Sequence, residues 1–245
     1  SMRTTARRDG GSFVLDGNKR IITFADIADL FAIFATEDPT LGADGISAFI
    51  VEKGTPGLKL AYHCKALGLM GHRAWDLELD GVRVPVENRI GGKGEGLRLA
   101  LKVLNKTRIS LSFGYVGLAR AAVEMAVAFA RDRRVQGKPI GRHQGISFAI
   151  TDAAIRVDAA RLLAYRAATL SDRTDRHRME TSMAKAYAAE TLVEAVTMLN
   201  RVMGGYGCDL RYDAERYLRD AFSWIAAQGT PEVQKVIVSR ELLGF

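Results

Sequence analysis

The chain has 245 residues, of which 48% are hydrophobic and 26% charged, with a formal net charge of +7. That balance belongs to a folded globular chain and excludes a disordered one. The basic residues alternate with acids along the whole chain, so the positive balance forms no nucleic-acid-binding tract. The densest cluster is Arg131-Asp132-Arg133-Arg134.

Two cysteines, Cys64 and Cys208, stand far apart. This points to a reducing, cytoplasmic setting rather than a disulfide framework. His63 beside Cys64 has no second ligand pair at metal spacing, so no metal site is expected. No apolar run reaches the roughly 20 residues of a membrane span, and no signal-peptide pattern opens the chain.

In chain order, residues 12 to about 88 read as strands. FVLDGNKRIIT reads as a strand pair with Asp16-Gly17 as its tight turn. DLFAIFAT, GISAFIVEK, GLKLAYHC and WDLELDGVRVP follow, separated by Gly, Pro and Asp. Short strands at this spacing with no helix between them predict an antiparallel sheet or barrel. The glycine-rich GGKGEG, residues 91–96, ends the pattern. A β-domain is therefore expected over 3–92 and a helical domain over 93–245.

GLRLALKVLN predicts a short helix, and ISLSFGYVGLARAAVEMAVAFARDRR a long one with Leu111, Val116, Ala119, Met125 and Phe129 along one stripe. Pro139 in GKPIGRH breaks the pattern. Helices over 145–171 and 178–203 follow. In the second, Met179, Met183, Tyr187, Leu192, Val196, Leu199 and Met203 recur at helical spacing and predict a packed core. Glycines 204 and 205 stop it. A short helix near 212–222 and a last one from Pro231 to Leu243 complete an α+β fold: an antiparallel β-domain followed by an antiparallel four-helix bundle. Pro231 suits a first helical turn.

Two stretches are open to more than one reading. GGYG, residues 204–207, is either a plain helix cap or backbone kept bare for close approach to a bulky ligand. The arginine in RDRRVQGKPIG either caps helix carbonyls or grips a phosphate.

Taken in order, LDGNKRIIT, GISAFIVEKGTPGL, LGLMG, VRVPVENRIG, LNKTRISLSFGYVGLARAA, RDRRVQGKPI, MGGYG, ERYLRDA, QGTPEVQ and SRELL resemble the acyl-CoA dehydrogenase family. The likeness runs over the family's C-terminal two-thirds. Its N-terminal helical domain and its T-E-P-x-A-G-S-D flavin loop would lie before Arg3. The resemblance implies a β-domain and helical bundle around FAD, in a homotetramer or dimer. It implies oxidation of an acyl-CoA or acyl-carrier thioester to the 2,3-enoyl product, with electrons passing to an electron-transfer flavoprotein. A glutamate removes the α-proton, and hydrogen bonds to the thioester carbonyl make that proton acidic enough to leave.

Carried over position by position, the resemblance puts Thr23 at the flavin edge. Arg133 falls at the FAD diphosphate of a neighbouring subunit, and Gly204, Gly205 and Gly207 at the adenine. Thr230 falls near the cofactor, and Arg108 and Arg240 on the substrate side. The departures are equally specific. Ile21 replaces a flavin-stacking tryptophan, and Val135-Gln136 stand where Gln or Thr and then Phe are usual. Arg201 replaces a glutamine and is a further phosphate candidate. Asn105 replaces an aspartate near CoA. Ala227-Gln228 replace the Tyr-Glu of the catalytic loop. Thr107 stands at the other position from which family members take the glutamate. A primary amide takes up no proton near neutral pH, so Gln228 cannot act as a base. Three readings follow: a dehydrogenase whose base is unusual or supplied by a partner subunit, a non-catalytic or degenerate partner subunit of a hetero-oligomer, and a flavin-dependent monooxygenase relative.

Overall fold

The computed structural model describes residues 2–245. The chain divides into two compact units. One takes the chain up to Ala66 together with Met70–Val103; the other takes Leu67–Leu69 and Leu104–Phe245.

The first unit is a seven-stranded sheet: β1 Thr5–Asp9, β2 Ser12–Thr23, β3 Leu30–Thr36, β4 Ile46–Glu52, β5 Leu58–Cys64, β6 Ala74–Pro85 and β7 Arg89–Ile90. Their order is β5-β6-β2-β1-β3-β4-β7. Every pairing is antiparallel except β1 with β3, which meet in parallel at Thr5 and Thr36. Strand periodicity sends Phe31, Ile33 and Ala35 of β3 to the buried side. There they join Phe13, Leu15, Phe49, Val51, Leu77 and Val82 in one cluster. The rings of Phe13 and Phe49 lie 4.9 Å apart and tilted. Each fully buried side chain of this size is worth about 1.5–3 kcal/mol.

Two strand expectations are corrected. FVLDGNKRIIT is one strand, not a hairpin. Gly17 marks a bulge where the pairing with β6 slips between Leu15 and Gly17. Its φ is +133°, and a Cβ there would lie 2.9 Å from Thr4 Cα, so the glycine serves a close crossing rather than a turn. The hairpin turn is Gly10-Gly11, closed by the pairing of Asp9 with Ser12. It serves β1, a strand that the sequence pattern leaves unmarked because Ala6 is its one buried residue.

The second unit contains helix α1 Gly96–Asp132 from Leu104 onward, with α2 Gln144–Arg173, α3 Arg178–Met203, α4 Ala214–Trp224 and α5 Pro231–Leu243. A two-residue ladder, β8 Arg134–Val135 with β9 Lys138–Pro139, separates α1 from α2. The two helices expected before Arg134 are one. No glycine or proline interrupts Asn105 to Ile109, so the polar run there continues the helix.

α1 carries a window of mean hydropathy 1.4, long and apolar enough by composition to cross a membrane, contrary to the expectation of no such run. Its apolar stripe of Tyr115, Val116, Ala119, Ala122 and Ala126 packs into the helical core. That core centres on α3, whose Ala188, Leu192, Ala195, Val196 and Leu199 are fully buried. Met179 and Met183 of the expected stripe are only half-buried. α3 ends at Gly204, with φ +56° and its N–H on Asn200 O. α5 starts at Thr230, whose side chain accepts from Val233 N, with Pro231 in the first turn.

Candidate functional site

The turn between α4 and α5 is tied down through its carbonyls. Arg108 Nε, on α1, donates to Gln228 O at 3.0 Å. Lys185 Nζ, on α3, donates to Ile225 O at 3.0 Å and Gly229 O at 2.5 Å. Tyr115 Oη donates to Trp224 O at 2.8 Å, and Gln234 Nε2 to Gly229 O at 3.3 Å. Four of six successive carbonyls are thus held by side chains from α1, α3 and α5. The backbone is bent to suit: Gln228 has φ +55° and Gly229 φ +99°. A left-handed glutamine costs about 1–2 kcal/mol, which the surrounding bonds offset.

Both cations are inside the protein. Arg108 is 6% exposed and Lys185 0%. Burial pushes the Lys185 ammonium down to about 8; the charge of Arg108 adds to this and Glu232 opposes it. Burial, then Arg178, lowers Arg108. Burial raises the Tyr115 hydroxyl, keeping it a donor. The carboxylate nearest in sequence, Glu232, is held below the usual range chiefly by a hydrogen bond with Thr230.

Thr107 Oγ1 donates to Gln228 Oε1 at 3.1 Å. The two positions that the resemblance offers to a base are therefore in contact, and both are neutral. With Oε1 engaged, the amide nitrogen of Gln228 is left as a donor. Asn105 lies two residues earlier, its Nδ2 3.5 Å from the ring nitrogens of buried His177 and its Oδ1 buried without a partner. Arg240 is exposed on α5, and among the described residues its side chain makes no hydrogen bond or ion pair, so it does not join this cluster.

A second group forms where α1 and α3 end. The Arg133 guanidinium lies 5.3 Å from the centre of the Tyr206 ring and donates from Nη1 to its Oη at 3.4 Å. Phe129 and Tyr212 flank Tyr206, each 5.6 Å away. Phe129, Arg133 and Tyr206 border a cavity of about 550 Å³ lined also by His143, Met203, Gly204 and Gly205. A Cβ on Gly204 or Gly205 would meet nothing within 4 Å, so their backbone is open. Gly207 differs: a Cβ there would lie 2.9 Å from Asn200 O, which makes it a packing glycine. Nε2 of His143 is buried without a partner. Arg201 is not part of this group. It borders a cavity of about 930 Å³ between α2 and α3, with Asp152, Arg156 and Glu194.

Thr23 lies on the β-sheet unit, exposed, its Oγ1 3.1 Å from His72 Nε2. Ile21 beside it is 64% exposed with φ +57°, its N–H on Asp76 Oδ1 at 2.9 Å. Among the described residues no three His, Cys, Asp or Glu side chains come together to hold a metal.

Sequence reasoning missed Lys185 and Tyr115. The available signal was a lone lysine in an alanine-rich, otherwise buried stretch of α3, where a charge is expected only with partners.

Residues 94–243 match the family description "Acyl-CoA dehydrogenase, C-terminal domain" and residues 1–82 "Acyl-CoA dehydrogenase, middle domain". The chain is 42% identical over its whole length to an acyl-CoA dehydrogenase of Bacillus subtilis (strain 168), covering 64% of that protein. It is 37% identical to the Caffeyl-CoA reductase-Etf complex subunit CarC of Acetobacterium woodii over 99% of its length, again 64% of the relative. Among solved structures, a glutaryl-coenzyme A dehydrogenase in complex with glutaryl-CoA superposes with TM-score 0.95 at 36% identity, over all of this chain and 62% of that one. A prolyl acyl carrier protein oxidase, AnaB, superposes with TM-score 0.95 at 32% identity, over all of this chain and 65% of that one. The chain belongs to the acyl-CoA dehydrogenase family, and it spans just under two thirds of the relatives it matches.

That family is one of flavoproteins, and the second group suits part of FAD. A guanidinium beside open glycine backbone fits a diphosphate, and the Tyr206 ring with the unpartnered imidazole nitrogen of His143 fits a flat heterocycle.

Proposed function

We propose that this protein is an acyl-CoA dehydrogenase-type flavoprotein that binds an acyl thioester, on CoA or on a carrier protein, and holds it by hydrogen bonds at a site without its own carboxylate base. The contact between Thr107 and Gln228 carries this reading. Arg108 and Lys185 fix the turn, and the Gln228 amide nitrogen donates a hydrogen bond where a glutamate would accept a proton. Arg133, Tyr206 and the Gly204-Gly205 backbone would hold the diphosphate and adenine portion of the FAD of a neighbouring subunit; Thr23, on the sheet unit, is a separate candidate for a flavin edge. FAD, when bound, supplies the acceptor for the hydride that leaves the β-carbon. The proposed electron carrier is an electron-transfer flavoprotein, in line with the Etf complex of the Acetobacterium relative. The proposed assembly is a dimer or tetramer of this chain, or a pairing with a paralogous subunit.

The same contact favours a second reading, in which the protein is the non-catalytic member of such a pair. A positioned base is worth on the order of 10²–10⁴-fold in rate. Enoyl-CoA formation is measured for FAD-loaded protein and for Gln228→Glu. A gain of roughly 10²–10⁴-fold in the variant supports an intact thioester site lacking only its base. No activity in either, with no thioester bound, leaves the non-catalytic subunit.

A further inference from the structure

A lysine without exposed surface normally faces a carboxylate; Lys185 faces backbone. Its ammonium joins Ile225 O and Gly229 O, which stand on either side of Gln228, and lies 5.6 Å from the centre of the Tyr115 ring. Arg108 takes Gln228 O between those two. The titratable groups facing Lys185 are Arg108 and Tyr115 on α1 and Glu232 on α5; the turn itself offers none. Two like charges are thus held together by the carbonyl dipoles of a single turn. An apolar side chain would avoid their mutual repulsion and the cost of burying an ammonium. A methionine of similar length would fill the same space but could not draw two carbonyls to one point.

We propose that Lys185 is the positioning residue of this turn: with Arg108 it gathers the carbonyls of residues 225, 228 and 229 and so fixes where the Gln228 side chain stands. The importance of the turn to substrate rests on the function proposed above; the clamp does not. Charge-assisted donors hold carbonyls more tightly than neutral amines. Lys185 is charged below about pH 8 and loses its proton as the pH rises through that value. Loss of that proton exchanges charge-assisted bonds for neutral ones at the turn, while Tyr115 keeps its hydroxyl proton and Arg108 its charge.

The test is amide hydrogen exchange in wild type and Lys185→Met at neutral pH, with Trp224 fluorescence followed from pH 6.5 to 9.5 in a Trp75→Phe background. Loss of charge-assisted bonds should speed exchange at residues 226–229 by roughly 10- to 100-fold and leave the central turns of α2 and α3 unchanged. Wild-type Trp224 emission should change with a midpoint near pH 8; that step should vanish in Lys185→Met. Equal exchange of the turn in both proteins, a uniform rise over the helical unit, or an unchanged fluorescence step would each overturn the proposal. If the methionine variant does not fold, Lys185→Gln, which keeps an N–H donor without the charge, is measured instead under the same criteria. Neither measurement needs FAD or a thioester, so failure of the clamp is distinguishable from failure of the proposed function.

Discussion

At Arg133 the guanidinium lies on an accessible tyrosine ring with bare glycine backbone beside it. At Arg108 the same group is enclosed, and the backbone of one turn takes up its charge and that of Lys185. Both sites join a cation on or just past the first long helix to a loop that follows a later one. They differ in what fills the coordination of the cation. Where the chain's own carbonyls saturate it, the cation shapes the protein. Where they leave it free, it remains available to an anionic ligand. Residue type alone would have ranked the two alike.

The strongest way to break this contrast is Arg108→Met, which leaves Gln228 O without its donor and its left-handed backbone unsupported. Its expected cost is about 3 kcal/mol of unfolding free energy, read by urea denaturation. The pH dependence of stability comes next. The folded chain holds the Lys185 proton less tightly than the unfolded chain, with a value near 8 against 10.5. The unfolded state therefore binds more protons between those values, and unfolding free energy should rise with pH across that window by up to about 3 kcal/mol. Lys185→Met should lack this rise, and the difference between their pH–stability curves checks it.

Gly229→Ala combines a φ of +99° with a Cβ placed 2.9 Å from Gln234 Nε2. It should cost about 2 kcal/mol by the same denaturation measurement. The smallest effect sharpens the contrast from the other side. Arg133→Ala should change stability by under about 0.5 kcal/mol, yet weaken FAD retention after desalting by roughly tenfold or more. A large loss of stability with unchanged FAD retention would place Arg133 with Arg108 instead.

The two regions also differ in how far the sequence reveals them. Elements with strong local signals are legible: Pro231 opens α5, Gly204 closes α3, and the apolar rhythm of Leu192, Val196 and Leu199 marks a core face. The glycine loop and Arg133 stand out because they lie in short stretches; the structure leaves the Gly204 and Gly205 backbone open and Arg133 on Tyr206, but packs Gly207. The buried cluster does not stand out. Asn105 and Thr107 look like a helix break, but their polar groups face His177 and Gln228, partners 72 and 121 residues away. Asp16-Gly17 looks like a turn because that pair usually makes one; only the approach of Thr4 shows why the glycine is there. Lys185 reads as a surface residue until the turn at 225–229 is seen to close over it. Local pattern carries propensity, whereas these features depend on distant chain segments.

The bond from Arg108 to Gln228 spans 120 residues, and that from Tyr115 to Trp224 spans 109. Contacts of such separation carry a loop-closure entropy cost that local contacts avoid. The clamp thus closes a long stretch of chain when it joins the turn between α4 and α5 to α1 and α3. Until then two cations face the interior with no acceptor. Satisfying both cations gives the final segment a reason to dock in a single register. The turn that Arg108 and Lys185 hold is also the latch that completes the helical unit.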